Sequence, residues 1–164
     1  MIIDCETDSR LRTLADVRMV LTKHGGSSTP AAYLFAKKGR ITFEKKDGVG
    51  ADEVFEPALE SGALDVLEDD DGRVVVYTEP TETTAAGETL SQILGLNISA
   101  SEIIWDANED TRIPLESDKS AKDLVRFIDV LQDKESMVQG IYMNVVRGSV
   151  AEEPWAELQS RIAS

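Results

Sequence analysis

The sequence predicts an α+β fold of two lobes, a ferredoxin-like split β-α-β lobe with a second, smaller α/β lobe inserted into it. Apolar periodicity alternates between strand and helix spacing along the whole chain. The opening β-α-β-β order lacks one helix and one strand of the split β-α-β unit, and residues 118–146 supply both. Charge divides in the same way: the first 46 residues hold nine Lys/Arg against five Asp/Glu, and the other 118 hold eight against twenty-six. The expected units are residues 1–46 with 115–147, an acidic insert over 47–114, and a helical tail over 148–164.

Each element has a local reason. MIIDCE opens as a short strand. Leu14, Val17, Val20 and Leu21 then place one apolar face on a helix, with Thr13 and Asp16 as a capping-box variant and Gly25-Gly26 as the stop. Ala32–Phe35 and Arg40–Phe43 read as strands joined by a Lys37-Lys38-Gly39 turn. Val54, Phe55, Ala58 and Leu59 mark a helix over 52–61 that ends at Gly62. Strands over 63–67 and 73–77 flank the acidic turn Asp69–Gly72. A helix over 84–94 stops at Gly95, and 99–105 is a strand. Residues 106–119, with Pro114, read as a linker. Ser120 caps a helix whose stripe is Ala121, Leu124, Val125, Ile128 and Leu131. Val138–Val145 is an apolar strand. Pro154 starts a final helix that docks through Trp155, Leu158 and Ile162.

Composition narrows the function. The formal net charge of −14 argues against non-specific binding to nucleic acid or membrane by the chain as a whole, though not by its basic lobe. No apolar run approaches the roughly 18 residues of a membrane span. The N-terminus lacks the basic and apolar regions of a secretory signal. One cysteine, Cys5, excludes an internal disulfide and fits a reducing compartment.

Catalytic and metal chemistry find little support. GxxxxGK, GxGxxG, HExxH and CxxC are all absent. EDDDG over 68–72 would place Leu67 and Thr78 at the first and last ligand positions of an EF-hand, so it reads as a hairpin turn. His24, the sole histidine, sits beside the Gly25 stop and reads as a polar cap. Its only local nucleophile candidates are Thr22 and Ser27. Cys5 reads as a small strand hydrophobe. The expectation is therefore no enzyme, no catalytic residues, no metal and no cofactor.

At DCETDSRLRTLADVRMVLTKHGG the chain resembles the YebC/PmpR family, which includes the mitochondrial translational activator of cytochrome c oxidase subunit I. The matching residues are Asp4-Cys5, Asp8, Arg10, Arg12-Thr13, Asp16-Val17-Arg18, Lys23 and Gly25-Gly26, then Tyr33-Leu34-Phe35 and Lys37-Lys38-Gly39. Ser9 and Leu11 stand where the family carries asparagines. Ala58–Ala63, Asp70-Asp71-Gly72 and Leu124–Leu131 with Ile141-Tyr142 extend the likeness over nearly the whole chain. The resemblance implies the second and third of three domains, the first being a basic helical domain that this sequence lacks. It implies a gene-expression regulator, most simply a translation factor that binds RNA or the ribosome. The rivals are a DNA-binding transcriptional regulator and a protein-interaction or ligand-sensing module.

Arg10, Arg12, Arg18, Lys37, Lys38 and Arg40 are the nucleic-acid-binding candidates. Arginine offers a planar fork to phosphate and lysine a mobile point charge. The bland alternative is a solvated face in which Arg18 pairs with Asp16 or Glu6. Tyr33 and Phe35 could stack on bases but read better as core. The acidic lobe would face a basic protein, or keep the factor off other RNA. A monomer is expected, away from membranes, in mitochondria for a eukaryotic source (the preferred reading) and otherwise in the cytoplasm.

Overall fold

The computed structural model describes residues 1–163, which form two compact units: Met1–Ala36 with Asp106–Ala163, and Lys37–Trp105. The elements, in chain order, are β1 (Ile2–Cys5), α1 (Arg10–Lys23), β2 (Phe35–Phe43), α2 (Ala51–Glu60), β3 (Ala63–Glu68), β4 (Val74–Thr78), α3 (Thr83–Leu94), β5 (Ile98–Ala107), β6 (Ile113–Pro114), α4 (Asp118–Lys134), β7 (Val138–Tyr142), β8 (Val145–Val146) and α5 (Glu152–Gln159). The mixed α+β class is as the sequence predicts.

The split β-α-β order lies in the inserted unit, not in the flanking residues. There β2-α2-β3-β4-α3-β5 forms one sheet with strand order β3-β4-β2-β5, the ferredoxin-like arrangement. The expected boundary after residue 46 is displaced because β2 is one nine-residue strand rather than a hairpin. Gly39, Arg40, Ile41 and Thr42 pair antiparallel with Thr78, Tyr77, Val76 and Val75. Lys37-Lys38-Gly39 is thus strand interior and makes no turn.

Gly39 sits mid-strand because helix α3 starts against it. A β-carbon there would collide with the hydroxyls of Thr83 and Thr78, which are hydrogen-bonded to each other at 3.0 Å. Forcing a methyl group into such a contact costs about 1–3 kcal/mol. Gly39→Ala is therefore expected to lower stability by that amount in urea denaturation, and an unchanged midpoint would contradict this packing. Ile41, Phe43, Val54, Ala58, Val66, Val76 and Leu90 form the buried core of this unit.

The flanking unit builds on α4. Ala121, Val125, Ile128 and Leu131 pack with Val17 and Val20 of α1, Ile141 of β7 and Leu158 of α5. The cap is Ser117, not Ser120: its Oγ accepts the Ser120 backbone N–H at 3.3 Å. The helix therefore starts two residues before the expected cap. β1 pairs with β7 antiparallel, and the supposed linker contributes β6, which pairs with β8 in parallel. α5 belongs to this unit and is no separate tail: Leu158 is fully buried, and Trp155 and Ile162 pack on the same core.

Candidate nucleic-acid interface

Helix α1 begins at Arg10, four residues before Leu14, the first position of its apolar spacing. The start is set by a threonine pair. Thr7 Oγ1 accepts the Ser9 N–H at 3.1 Å and the hydroxyl of Thr13 at 2.8 Å, and Thr13 is buried. Ser9 is the N-cap residue, but its side chain makes no capping bond. Thr13 therefore anchors the first turn from inside, and Arg10 and Arg12 lie within that turn instead of in a loop.

That placement opposes helix electrostatics. A helix N-terminus carries partial positive charge and favours acids, yet α1 has no acid in its first turn and two arginines instead. Residues that work against local stability mark places where something other than folding selects them. Arg10 and Arg18 are exposed. Among the described residues Arg12 pairs with Asp8 alone, at 3.3 Å with both side chains well exposed, a pair worth under about 1 kcal/mol. Asp16, the proposed partner of Arg18, pairs with Lys134 at 3.6 Å instead.

At least eight of the described cations outside α1 have a carboxylate within ion-pair distance, among them Arg73, Arg112, Lys119, Arg147 and Arg161. On α1, Arg10, Arg18 and Lys23 have none among the described residues. Leu11 lies between the arginines at 82% exposure. Helix α1 thus carries three cations, Arg10, Arg18 and Lys23, with no carboxylate partner among the described residues, beside Arg12 in its exposed pair with Asp8.

The other three candidates belong to the second unit, so the six are not the surface of one lobe as expected. Arg40 is bound by Glu102 through Nη2 at 2.9 Å and Nε at 3.3 Å. Lys37 Nζ stands 5.5 Å from the Trp105 ring centre, a cation–π contact. Lys38 lies half-buried on β2. Lys46 donates to the Leu94 carbonyl at the end of α3, and Lys45 to the Asp71 carbonyl. This unit carries six Lys/Arg against fifteen Asp/Glu, and Lys37, Arg40, Lys45, Lys46 and Arg73 are held by partners within it. Asp69 spends its carboxylate on its own turn, accepting from the backbone of Asp71 and Arg73 and from Arg73 Nε. Its pKa is lowered chiefly by the Arg73 backbone N–H, then by the Arg73 side chain.

The strand aromatics separate. Phe35 is buried, but Tyr33 is 74% exposed, in a 3-10 turn rather than a strand. His24 is the C-terminal cap of α1, with Nδ1 2.9 Å from the Val20 carbonyl and its ring edge-on to Phe127. Lys23 belongs to the N-terminal motif but not to the six sequence-derived binding candidates. Its place in the last turn of the same helix was the available signal.

Cys5 is half-buried beside the buried Glu135, and desolvation, then Glu135 and Asp4, push its thiol pKa up. Fewer thiolates form near neutral pH, so alkylation by iodoacetamide should run slower than for glutathione. The rate should rise only above the ordinary thiol range of about 8.5. Alkylation as fast as glutathione's would contradict this environment.

Residues 1–145 match the family model described as TACO1/YebC second and third domain. A probable transcriptional regulatory protein of Idiomarina loihiensis is 39% identical over 147 residues, covering 88% of this chain and 56% of that protein. One from Francisella tularensis subsp. novicida is 37% identical with the same coverage. The chain thus spans little more than half the length of these relatives. The crystal structure of the conserved hypothetical protein Aq1575 from Aquifex aeolicus matches with a TM-score of 0.65 at 32% identity, over 90% of this chain and 58% of that one. An N-terminal arginine motif on a helix, a ferredoxin-like insert and these matches agree: the chain belongs to the TACO1/YebC family, in the part formed by the second and third domains.

Proposed function

We propose that this chain is the non-catalytic, nucleic-acid-engaging part of a gene-expression regulator, and that it acts in translation by binding RNA on the ribosome through α1. The observation that carries this is the pair Arg10 and Arg12 in a helical turn without an acid, followed by Arg18 on the same helix. Phosphate is the natural partner of a helix N-terminus dressed with arginine forks. The acidity of the second unit, fifteen acids to six bases, repels polyanions elsewhere and so confines contact to α1. It also suits a basic ribosomal protein. The factor works as a monomer away from membranes, in mitochondria for a eukaryotic source and in the cytoplasm for a bacterial one.

The test is co-sedimentation with ribosomes at low and moderate salt, beside a variant with Arg10, Arg12 and Arg18 all changed to alanine. Salt-sensitive binding that the variant loses supports the reading. Equal binding by both chains would overturn it. The names of the bacterial relatives favour a second reading, a DNA-binding transcriptional regulator. Direct titration separates them: at matched salt the chain should bind ribosomal RNA more tightly than duplex DNA under the first reading, and the order should reverse under the second.

A further inference from the structure

A cavity of about 650 Å³ opens in the first unit between the end of α1, helix α4 and β8. Its apolar wall includes Leu21, Leu115, Leu124, Phe127 and Val145, and its polar margin includes Lys23 and Arg126. This volume lies within the roughly 300–1,000 Å³ of small-molecule sites, which pair an apolar lining with a few placed polar groups. We propose that the cavity binds a small amphipathic anion, its apolar body against these side chains and its carboxylate, phosphate or sulfonate head at Lys23 and Arg126.

The sign of the ligand follows from the margin. Lys23 has no carboxylate partner among the described residues. Asp123 is the acid in the lining, and Lys119 already holds it at 2.8 Å, while Arg126 reaches it only at 3.9 Å. The lining therefore holds two cations, Lys23 and Arg126, against one acid, Asp123, which is paired with Lys119, in a chain whose net charge is −14. A local surplus of positive charge beside an apolar wall selects against neutral and cationic ligands. His24 adds a polar edge: with Nδ1 turned to the Val20 carbonyl and the ring set against Phe127, the imidazole is held in one orientation.

The size argues for a small molecule over a peptide helix, which would need a long open groove. Phe127 and Leu115 are themselves buried, so the wall is part of the folded core and needs no rearrangement to exist. The site is separate from the arginines of the first turn of α1, and it stands whether or not those bind RNA.

The probe is 8-anilinonaphthalene-1-sulfonate, compared with N-phenyl-1-naphthylamine, which keeps the same rings without the sulfonate. Fluorescence titration of the whole chain should show the anion binding with one-to-one stoichiometry and much more tightly than the neutral amine. Lys23→Ala with Arg126→Ala should weaken the anion about tenfold or more, the scale of one lost charge-assisted contact, and leave the amine unchanged. Leu124→Arg, which puts charge into the wall, should abolish binding of both probes. Circular dichroism melts would confirm that each variant is folded, and Leu124→Gln replaces the arginine variant if that one does not fold. Equal affinity for both probes, many weak sites, or an unaltered titration in the double variant would overturn the proposal.

Discussion

Replacing Arg10, Arg12 and Arg18 together by alanine is expected to cost at least about tenfold in affinity for ribosomes, and to flatten the salt dependence of what remains. Each phosphate contact contributes about 0.7 to 0.9 to the slope of log affinity against log salt, so three lost contacts should reduce it by about two. The slope is the better observable, because a folding defect lowers the amount of active protein without altering it. Stability should stay level or rise slightly: Arg10 and Arg12 oppose the helix dipole in the first turn, and of the three only Arg12 has an acid partner among the described residues, exposed Asp8. A slope unchanged in the variant would remove α1 from the interface. Mutating Lys37 and Arg40 instead should leave the slope nearly untouched, since Trp105 and Glu102 already engage them.

The second large effect is on stability. Phe43→Ala should destabilise the second unit by about 3–5 kcal/mol, the usual result of deleting a fully buried phenyl ring. Phe43 is completely buried at the end of β2, among the core side chains of the sheet and its two helices. With the slope of about 1–3 kcal/mol per molar urea seen in small proteins, the midpoint should fall by at least about 1 M. The two tryptophans make the measurement specific. Trp105 belongs to the second unit and Trp155 to the first, so fluorescence in a Trp155→Phe background follows the unit that carries Phe43. A midpoint change of only a few tenths molar would mean that the sheet closes over the lost ring.

The sequence made the helices legible because their signals are local. The stripe through Ala121, Val125, Ile128 and Leu131 is the buried face of α4, and Gly95 ends α3 in the left-handed conformation with φ of 61°. Where the sequence misled, the deciding contact was distant. Gly39 resembles a turn residue, but it is a strand residue that makes room for Thr83, 44 positions later. Thr13 resembles a cap, but its hydroxyl is spent on Thr7 and the helix starts earlier. The linker around Pro114 becomes a strand only because Val145 and Val146 come alongside.

The arginine motif, the acidic remainder of the chain, the α+β class and family membership were all determined by residue identity, since charge and short-range periodicity are properties of the chain itself. Tertiary structure alone decided which unit adopts the ferredoxin-like order, because strand pairing joins residues far apart and periodicity cannot say which strands meet. It also decided which cations are spent. Arg40 and Arg18 look alike in the sequence, but a carboxylate 62 residues away neutralises Arg40, and none of the described ones reaches Arg18.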